Sequence, residues 1–458
     1  MFEAKTVKPN NKKKNTSNKP WYTRSCAKKK LAYIMAKKRY KCEKNIDNHV
    51  TMVDASRGYK KELIKALSMY KNSFKHKLRN LKSKDPKEYW KILNEYKKPE
   101  VRISNAALYD HFKSLSSNNG GQDQDTGIDF LHLSNQGESQ ILLDKTITQE
   151  EIIHAIDNLK NNKSAGPDKI LNEYIKSTKG LLLPLYVKLF NRVLNEGKVP
   201  LSWLTGWIIP LYKNKGDPSD PRNYRGITLL SCLGKVFTAL LNVRLSEFSD
   251  TYKILLENQA GFRKFYSTMD HVFLLKMIID MFVSKSKKLY CLFVDYQTAF
   301  DSISRISLWL KLLEAGIKGK LFNVIYNMYQ GIKSCVFSEG RESDYFISCK
   351  GVRQGENLSP FLFAIYVNDL QNFCLERNVN TLEFPDEFAL LNYLKLMVIM
   401  YADDTVLMSN TAQGLQKAID VLSTYCDKWE LIVNTSKTEV VVFAKRSTKK
   451  ILFLNIKM

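Results

Sequence analysis

The sequence predicts an α+β fold in which a small antiparallel sheet presents acidic residues, preceded by a basic helical arm. Three observations lead there. The apolar, β-favouring runs Leu396–Met400 and Thr405–Met408 meet at Tyr401-Ala402-Asp403-Asp404, a hairpin pattern whose tight turn carries two carboxylates. The run Leu289–Val294 reads as a buried strand that ends at a third carboxylate, Asp295. Upstream, Leu63, Leu67, Tyr70, Phe74, Leu78 and Leu81 recur at helical spacing among lysines, so an amphipathic helix is expected there.

Taken in chain order, residues 1–100 form the arm. They hold 29 basic and 9 acidic side chains, +20 of the total of +25, and leave +5 for residues 101–458. Trp21, Tyr22, Tyr33, Tyr40, Tyr89 and Trp90 are interleaved with these charges. Lysines that release counterions, beside aromatics that stack on bases, suit a polyanionic partner. Asp85-Pro86-Lys87-Glu88 has the cap, first-turn proline and reciprocal glutamate of a new helix. Residues 101–147 read as a loose linker, most plainly the Ser-, Asn-, Gly- and Asp-rich stretch from Ser116 to Ser139. Thr148-Gln149-Glu150-Glu151 opens the next helix and marks the start of the core, 148–458.

Within the core, Lys213 follows a strand-like run and precedes the turn Asn214-Lys215-Gly216-Asp217-Pro218, which sets it near Arg225 on a neighbouring strand. Beyond Asp295, Phe300 and Asp301 lead into a helix from Ile303 to Leu313 that Gly316 ends; Asp301 is expected to cap it. Gly351–Ser359 is a polar loop bounded by glycine, and Ser359-Pro360 reads as N-cap and first-turn proline of a buried helix. Each pair of adjacent carboxylates at about 4 Å costs about 4 kcal/mol in a medium of effective dielectric 20, so a cation is the natural compensation at the acidic hairpin. A strand-end aspartate facing an Asp-Asp turn is the arrangement that two-metal nucleotidyl transfer requires.

Eight cysteines without a CxxC pair and six scattered histidines support neither a zinc knuckle nor a disulfide scaffold. No apolar run reaches transmembrane length, and no signal peptide is found. An intracellular, reducing location is expected, in the nucleus and in cytoplasmic ribonucleoprotein. The lysine clusters at 12–14, 28–30 and 37–38 suit nuclear import or nucleic-acid contact equally.

Several stretches, in order, carry a resemblance: Lys163–Asp168, Trp207–Lys213 with Asn223–Ser231, Asn258–Arg263, the Asp295 segment, Gly351–Pro360, the acidic hairpin, and Leu431–Thr438. Across residues 150 to 445 the chain resembles the reverse transcriptase of non-LTR (LINE-type) retrotransposons. The resemblance implies a right-hand polymerase with fingers and palm, 148–458, and an arm like the region that joins endonuclease to polymerase in full-length elements. It implies templated attack of a DNA primer 3′-hydroxyl on a deoxynucleoside triphosphate, with RNA as template. Two Mg²⁺ ions, replaceable by Mn²⁺, would be held by Asp295, Asp403 and Asp404, with Asp295 and Asp403 bridging both.

By the same resemblance Lys213 and Arg225 grip the triphosphate, Gln354 and Gly355 lie against nucleotide and template, Phe300 is the bulky gate that excludes a 2′-hydroxyl, and Lys437 protonates the leaving pyrophosphate. The gate argues against an RNA-templated RNA polymerase. Gly226 stands where many relatives have proline, and Glu356-Asn357 where many have Cys-Pro or Asp-Pro. The chain stops at Met458, soon after Lys437, without room for a helical thumb, and nothing at its N-terminus resembles the apurinic-type endonuclease. The expected alternative to an active polymerase is therefore a truncated, nucleic-acid-binding remnant.

Overall fold

A computed structural model describes residues 20–85, 88–90, 92, 103–117, 128–135, 141–385, 387, 388, 391 and 396–445. The chain divides into two units, Met1–Glu100 and Val101–Met458.

In the first unit, helix Arg24–Cys42 is capped by Thr23 and helix Ile46–Lys84 by Asn45. The second helix is 39 residues, about 58 Å long at 1.5 Å per residue. It begins well before the periodic stretch that betrays it in the sequence. The two pack as a hairpin, with Cys26, Ala36 and Ala66 buried and Tyr33 stacked on Tyr59 at 6.5 Å. Tyr40 lies against His49, so two of the aromatics expected to meet bases are used inside the hairpin. Asp85 accepts from the Glu88 backbone N–H as a starting cap should; Pro86 and Lys87 lie outside the described residues, as do Lys12–Lys14.

The second unit holds two sheets, one packed on the large core and the other on a smaller cluster of Ile208, Tyr224, Val336 and Phe346. Strands β1 (Thr205–Tyr212) and β2 (Tyr224–Leu229) form an antiparallel pair, and β1 runs parallel to β4 (Lys333–Ser338), which carries the short strands β5 (Arg341–Glu342) and β6 (Phe346–Ile347). The other sheet is wholly antiparallel. It contains β3 (Leu289–Val294), β7 (Val398–Tyr401), β8 (Asp404–Ser409) and β9 (Glu439–Phe443), in the order β7-β8-β3-β9. Side chains alternate across a strand, and β3 uses both faces. Tyr290, Leu292 and Val294 join the main core, whereas Leu289 and Cys291 join a second cluster with Ile278 and Phe282 of helix Thr268–Ser284. Burial on both sides explains why the run lacks polar alternation.

The stretch read as a loose linker, 101–147, is helical in its described parts. Helix Asn105–Ser116 buries Leu108 and Phe112 against Ile208 and Val336, and Phe130, Leu143 and Ile147 enter the main core. Its polar composition hides a few apolar anchors and one distant staple. Arg244, 1 % exposed, donates to the carbonyls of Leu143, Lys145 and Thr146 and to both carboxylate oxygens of Glu151. Thr148 and Glu151 form the expected capping box for helix Gln149–Asp157. Among the described residues, no helix is long and apolar enough to cross a membrane, and all eight cysteines are free.

Candidate active site

The carboxylates converge because of register. Val294 pairs with Thr405, so Asp295, just past the end of β3, comes abreast of Asp404 at the start of β8. Tyr401 pairs with Asp404, which leaves Ala402 and Asp403 as the two-residue turn between β7 and β8. Asp404 keeps solvent contact. Partial desolvation by the hairpin, with the charges of Asp403 and Asp295, pushes its carboxyl above the usual range. On the other flank, Asp295 Oδ2 accepts from Asn434 Nδ2 at 2.8 Å and from Lys437 Nζ at 3.1 Å. The backbone ties the same segment down: Asn434 N–H donates to Asp295 O at 2.7 Å, and Asp295 N–H donates to Thr438 Oγ1 at 3.2 Å.

Among the described residues, no three His, Cys, Asp or Glu side chains already close into a metal-holding group. The donor chemistry still suits a hard divalent cation, since these are carboxylate oxygens, and desolvation followed by the charges of Asp403 and Asp295 raises the Asp404 carboxyl, which a cation would offset.

A basic pocket adjoins the carboxylates. Lys213 continues beyond β1, its backbone N–H donating to Asn223 O, and Leu211 pairs with Arg225. Desolvation, then the positive charges of Arg225 and Lys437, lower the Lys213 pKa. Three cations therefore share one field. The loop after Gly351 closes the pocket from the other side. Thr228 N–H donates to Gln354 O at 2.8 Å, and Val352 N–H donates to Phe300 O at 2.8 Å. Gly355, at φ +113°, lies so close to β2 that a Cβ would sit 2.7 Å from Thr228 O. Phe300 is half-buried, stacked on Phe363 at 5.0 Å and edge-on to Phe262 at 6.3 Å.

A family model described as reverse transcriptase (RNA-dependent DNA polymerase) matches residues 212–458. The chain belongs to the reverse transcriptase family. Relatives include a probable RNA-directed DNA polymerase from transposon BS of Drosophila melanogaster, 31% identical over 310 residues, 64% of this chain and 32% of that protein. The RNA-directed DNA polymerase from mobile element jockey of the same species is 26% identical over 309 residues, 66% of this chain and 32% of the relative. The chain thus spans about a third of the length of these relatives, and they bear out its resemblance to non-LTR elements. Among solved structures, an apo telomerase from Candida tropicalis, truncated from its C-terminal domain, is 15% identical, with TM-score 0.40 over 59% of this chain and 58% of that one.

At two positions where the sequence departs from the family pattern, the packing gives a local explanation. At Gly226, a Cβ would lie 2.7 Å from Phe112 Cε1 and 2.9 Å from Ile208 Cγ2, so glycine makes room for helix Asn105–Ser116. Glu356 is buried with Arg353; it accepts from Arg353 Nη2 at 3.0 Å and from Tyr329 Oη at 2.9 Å, while Arg353 Nη1 reaches Trp203 O.

Ser359 does not cap helix Ser359–Val367 as expected; its hydroxyl donates to Arg353 O at 2.7 Å and ties down the loop instead. Asp301 also differs. Helix Arg305–Glu314 has no side-chain cap, and Asp301 Oδ2 instead accepts from Gln354 Nε2 at 3.2 Å, facing Lys213 and Arg225. Asn434 and Asp301 were missed as site residues because short polar side chains next to a turn look like ordinary caps in sequence.

Proposed function

We propose that the chain is an RNA-directed DNA polymerase that joins deoxynucleotides to a primer 3′-hydroxyl, with the antiparallel sheet as palm and the β1–β2 sheet as part of the fingers. The observation that carries this reading is the grouping of Asp295, Asp403 and Asp404, with Lys437 Nζ 3.1 Å from Asp295 Oδ2 and in turn within the field that Lys213 and Arg225 share. Asp295, Asp403 and Asp404 would hold two Mg²⁺ ions, or Mn²⁺. Bound there, such ions supply Lewis-acid activation of the hydroxyl and stabilisation of the departing pyrophosphate.

The chain's own residues do the rest. Lys213 and Arg225 offer fixed positive charge to the non-bridging phosphate oxygens, where negative charge spreads in the transition state. Lys437, held beside Asp295, is placed to give a proton to the leaving pyrophosphate. Phe300, braced by Phe363, fills the space that a ribose 2′-hydroxyl needs, while Gln354 and Gly355 border the nucleotide from a loop fixed to β2. RNA template, DNA primer and deoxynucleoside triphosphates are the proposed partners, and nucleus and cytoplasmic ribonucleoprotein the proposed locations.

Mg²⁺-dependent incorporation on oligo(dT)-primed poly(rA), comparing the wild type with the Asp403→Asn, Asp404→Asn double variant, tests this. Incorporation is expected in the wild type and a loss of at least a thousandfold in the variant. Template binding without extension by either protein would replace the reading with that of a nucleic-acid-binding remnant.

A further inference from the structure

We infer that Gln259 is a positioning residue for the acidic hairpin, a role that rests on the polymerase reading. Ala402, the residue before Asp403, is buried and holds φ +59°, a left-handed conformation that L-residues with a Cβ rarely adopt and that turns of this size usually give to glycine or asparagine. Alanine has no side-chain donor or acceptor to stabilise it locally. The support comes from 143 residues away in sequence. Gln259, fully buried, accepts from Ala402 N–H at 3.0 Å through Oε1 and donates to Ala402 O at 3.3 Å through Nε2. One carboxamide thus takes both backbone groups of the strained residue. Its Oε1 also accepts from Gly261 N–H at 2.8 Å, which fixes the rotamer.

The surrounding backbone strengthens the grip. Strand β7 is the outer strand of its sheet, and residues 258–260 pair with its free edge: Met400 N–H donates to Asn258 O at 2.8 Å and Ala260 N–H to Met400 O at 3.0 Å. At Gly261 a Cβ would lie 2.1 Å from Ala402 N, so only glycine lets the segment pass this close to the turn. The next residue, Phe262, is the one that meets the edge of Phe300. A six-residue loop, Asn258–Arg263, therefore touches both the turn that aims Asp403 and the aromatic assigned to sugar selection. Arg225 lies on β2 of the other sheet and Lys213 just beyond the end of β1.

A site residue displaced by about 1 Å can lose about a hundredfold in rate, so a carboxamide whose bonds go to Ala402 should move kcat much more than nucleotide binding. The test uses the full chain with Gln259→Met, which keeps length and removes the amide, and with Gln259→Asn, which keeps the amide but withdraws it by one methylene. Steady-state kinetics for dTTP on oligo(dT)-primed poly(rA), the Mg²⁺ midpoint, thermal unfolding, and amide exchange of the peptide containing Ala402 are measured.

Both variants are expected to lose at least tenfold in kcat, keep KM for dTTP within twofold, require more Mg²⁺, and exchange faster at the hairpin peptide. Adding Ala402→Gly to Gln259→Met is expected to recover at least a third of the lost rate, because glycine adopts positive φ without support. A wild-type kcat and Mg²⁺ midpoint in whichever variant folds would overturn the proposal, as would a rate loss accompanied by uniformly faster exchange. If the wild type itself incorporates nothing, the polymerase reading fails separately, and unchanged exchange at Ala402 in the variants would then overturn the positioning role.

Discussion

The Asp301 carboxyl sits beside Lys213 and Arg225, and burial pushes it up to about 7 despite the pull of those two cations. At a pH below about 7 it is neutral and hydrogen-bonded to Gln354; above, it adds a negative charge where the triphosphate should bind. KM for a deoxynucleotide is therefore expected to rise as pH increases through about 7, and Asp301→Asn should flatten that rise in steady-state profiles. Stability follows the same sign. A carboxyl whose folded pKa is raised stabilises the fold while it is protonated, and that contribution is lost as pH climbs toward about 7. A second residue-scale expectation concerns Glu356. Its removal by Glu356→Ala strands the buried Arg353 guanidinium and should cost about 3–5 kcal/mol in urea unfolding, whereas Arg353→Met with Glu356→Leu should come much closer to neutral.

At the scale of elements, the acidic hairpin, β3 and the Thr148 capping box were legible in sequence because each depends on residues within a few positions of one another. Local rules of alternation, turn chemistry and capping determine them. What escaped depends on partners far along the chain. Nothing near β9 says that it pairs with β3 to hold Asn434 and Lys437 over Asp295, and nothing in the polar segment before Thr148 announces Arg244.

The candidate site divides the same way. The three aspartates stand at ends of recognisable strands, whereas Asp301 and Gln259 gain their meaning only from contacts across 53 and 143 residues. Arg244 gives the measurable case. Arg244→Met leaves Glu151 without its ion-pair partner and three carbonyls without donors, so a loss of about 3–5 kcal/mol is expected in chemical denaturation. Limited proteolysis should then cut within 128–147 before it cuts elsewhere in the second unit.

For the whole molecule the controlling quantity is charge, and it is distributed unevenly: +20 of +25 lies in residues 1–100. The helical hairpin of that unit keeps Lys28, Lys29, Lys30 and Lys38 exposed, and its internal contacts use aromatic and small residues, not these ammonium groups; Lys37 Nζ, by contrast, lies 5.8 Å over the Tyr33 ring. Lysine charge can therefore be removed there without disturbing the packing. Each phosphate neutralised on duplex releases counterions and contributes about 0.9 to the slope of log affinity against log salt, or about 0.7 on a single strand. Changing these four lysines to glutamine is expected to reduce the slope for a primer–template by up to about 3.6 and to weaken binding most at low salt, with the melting temperature unchanged. Fluorescence anisotropy across a salt series checks this. An unaltered slope would mean that these lysines stay solvated when nucleic acid is bound.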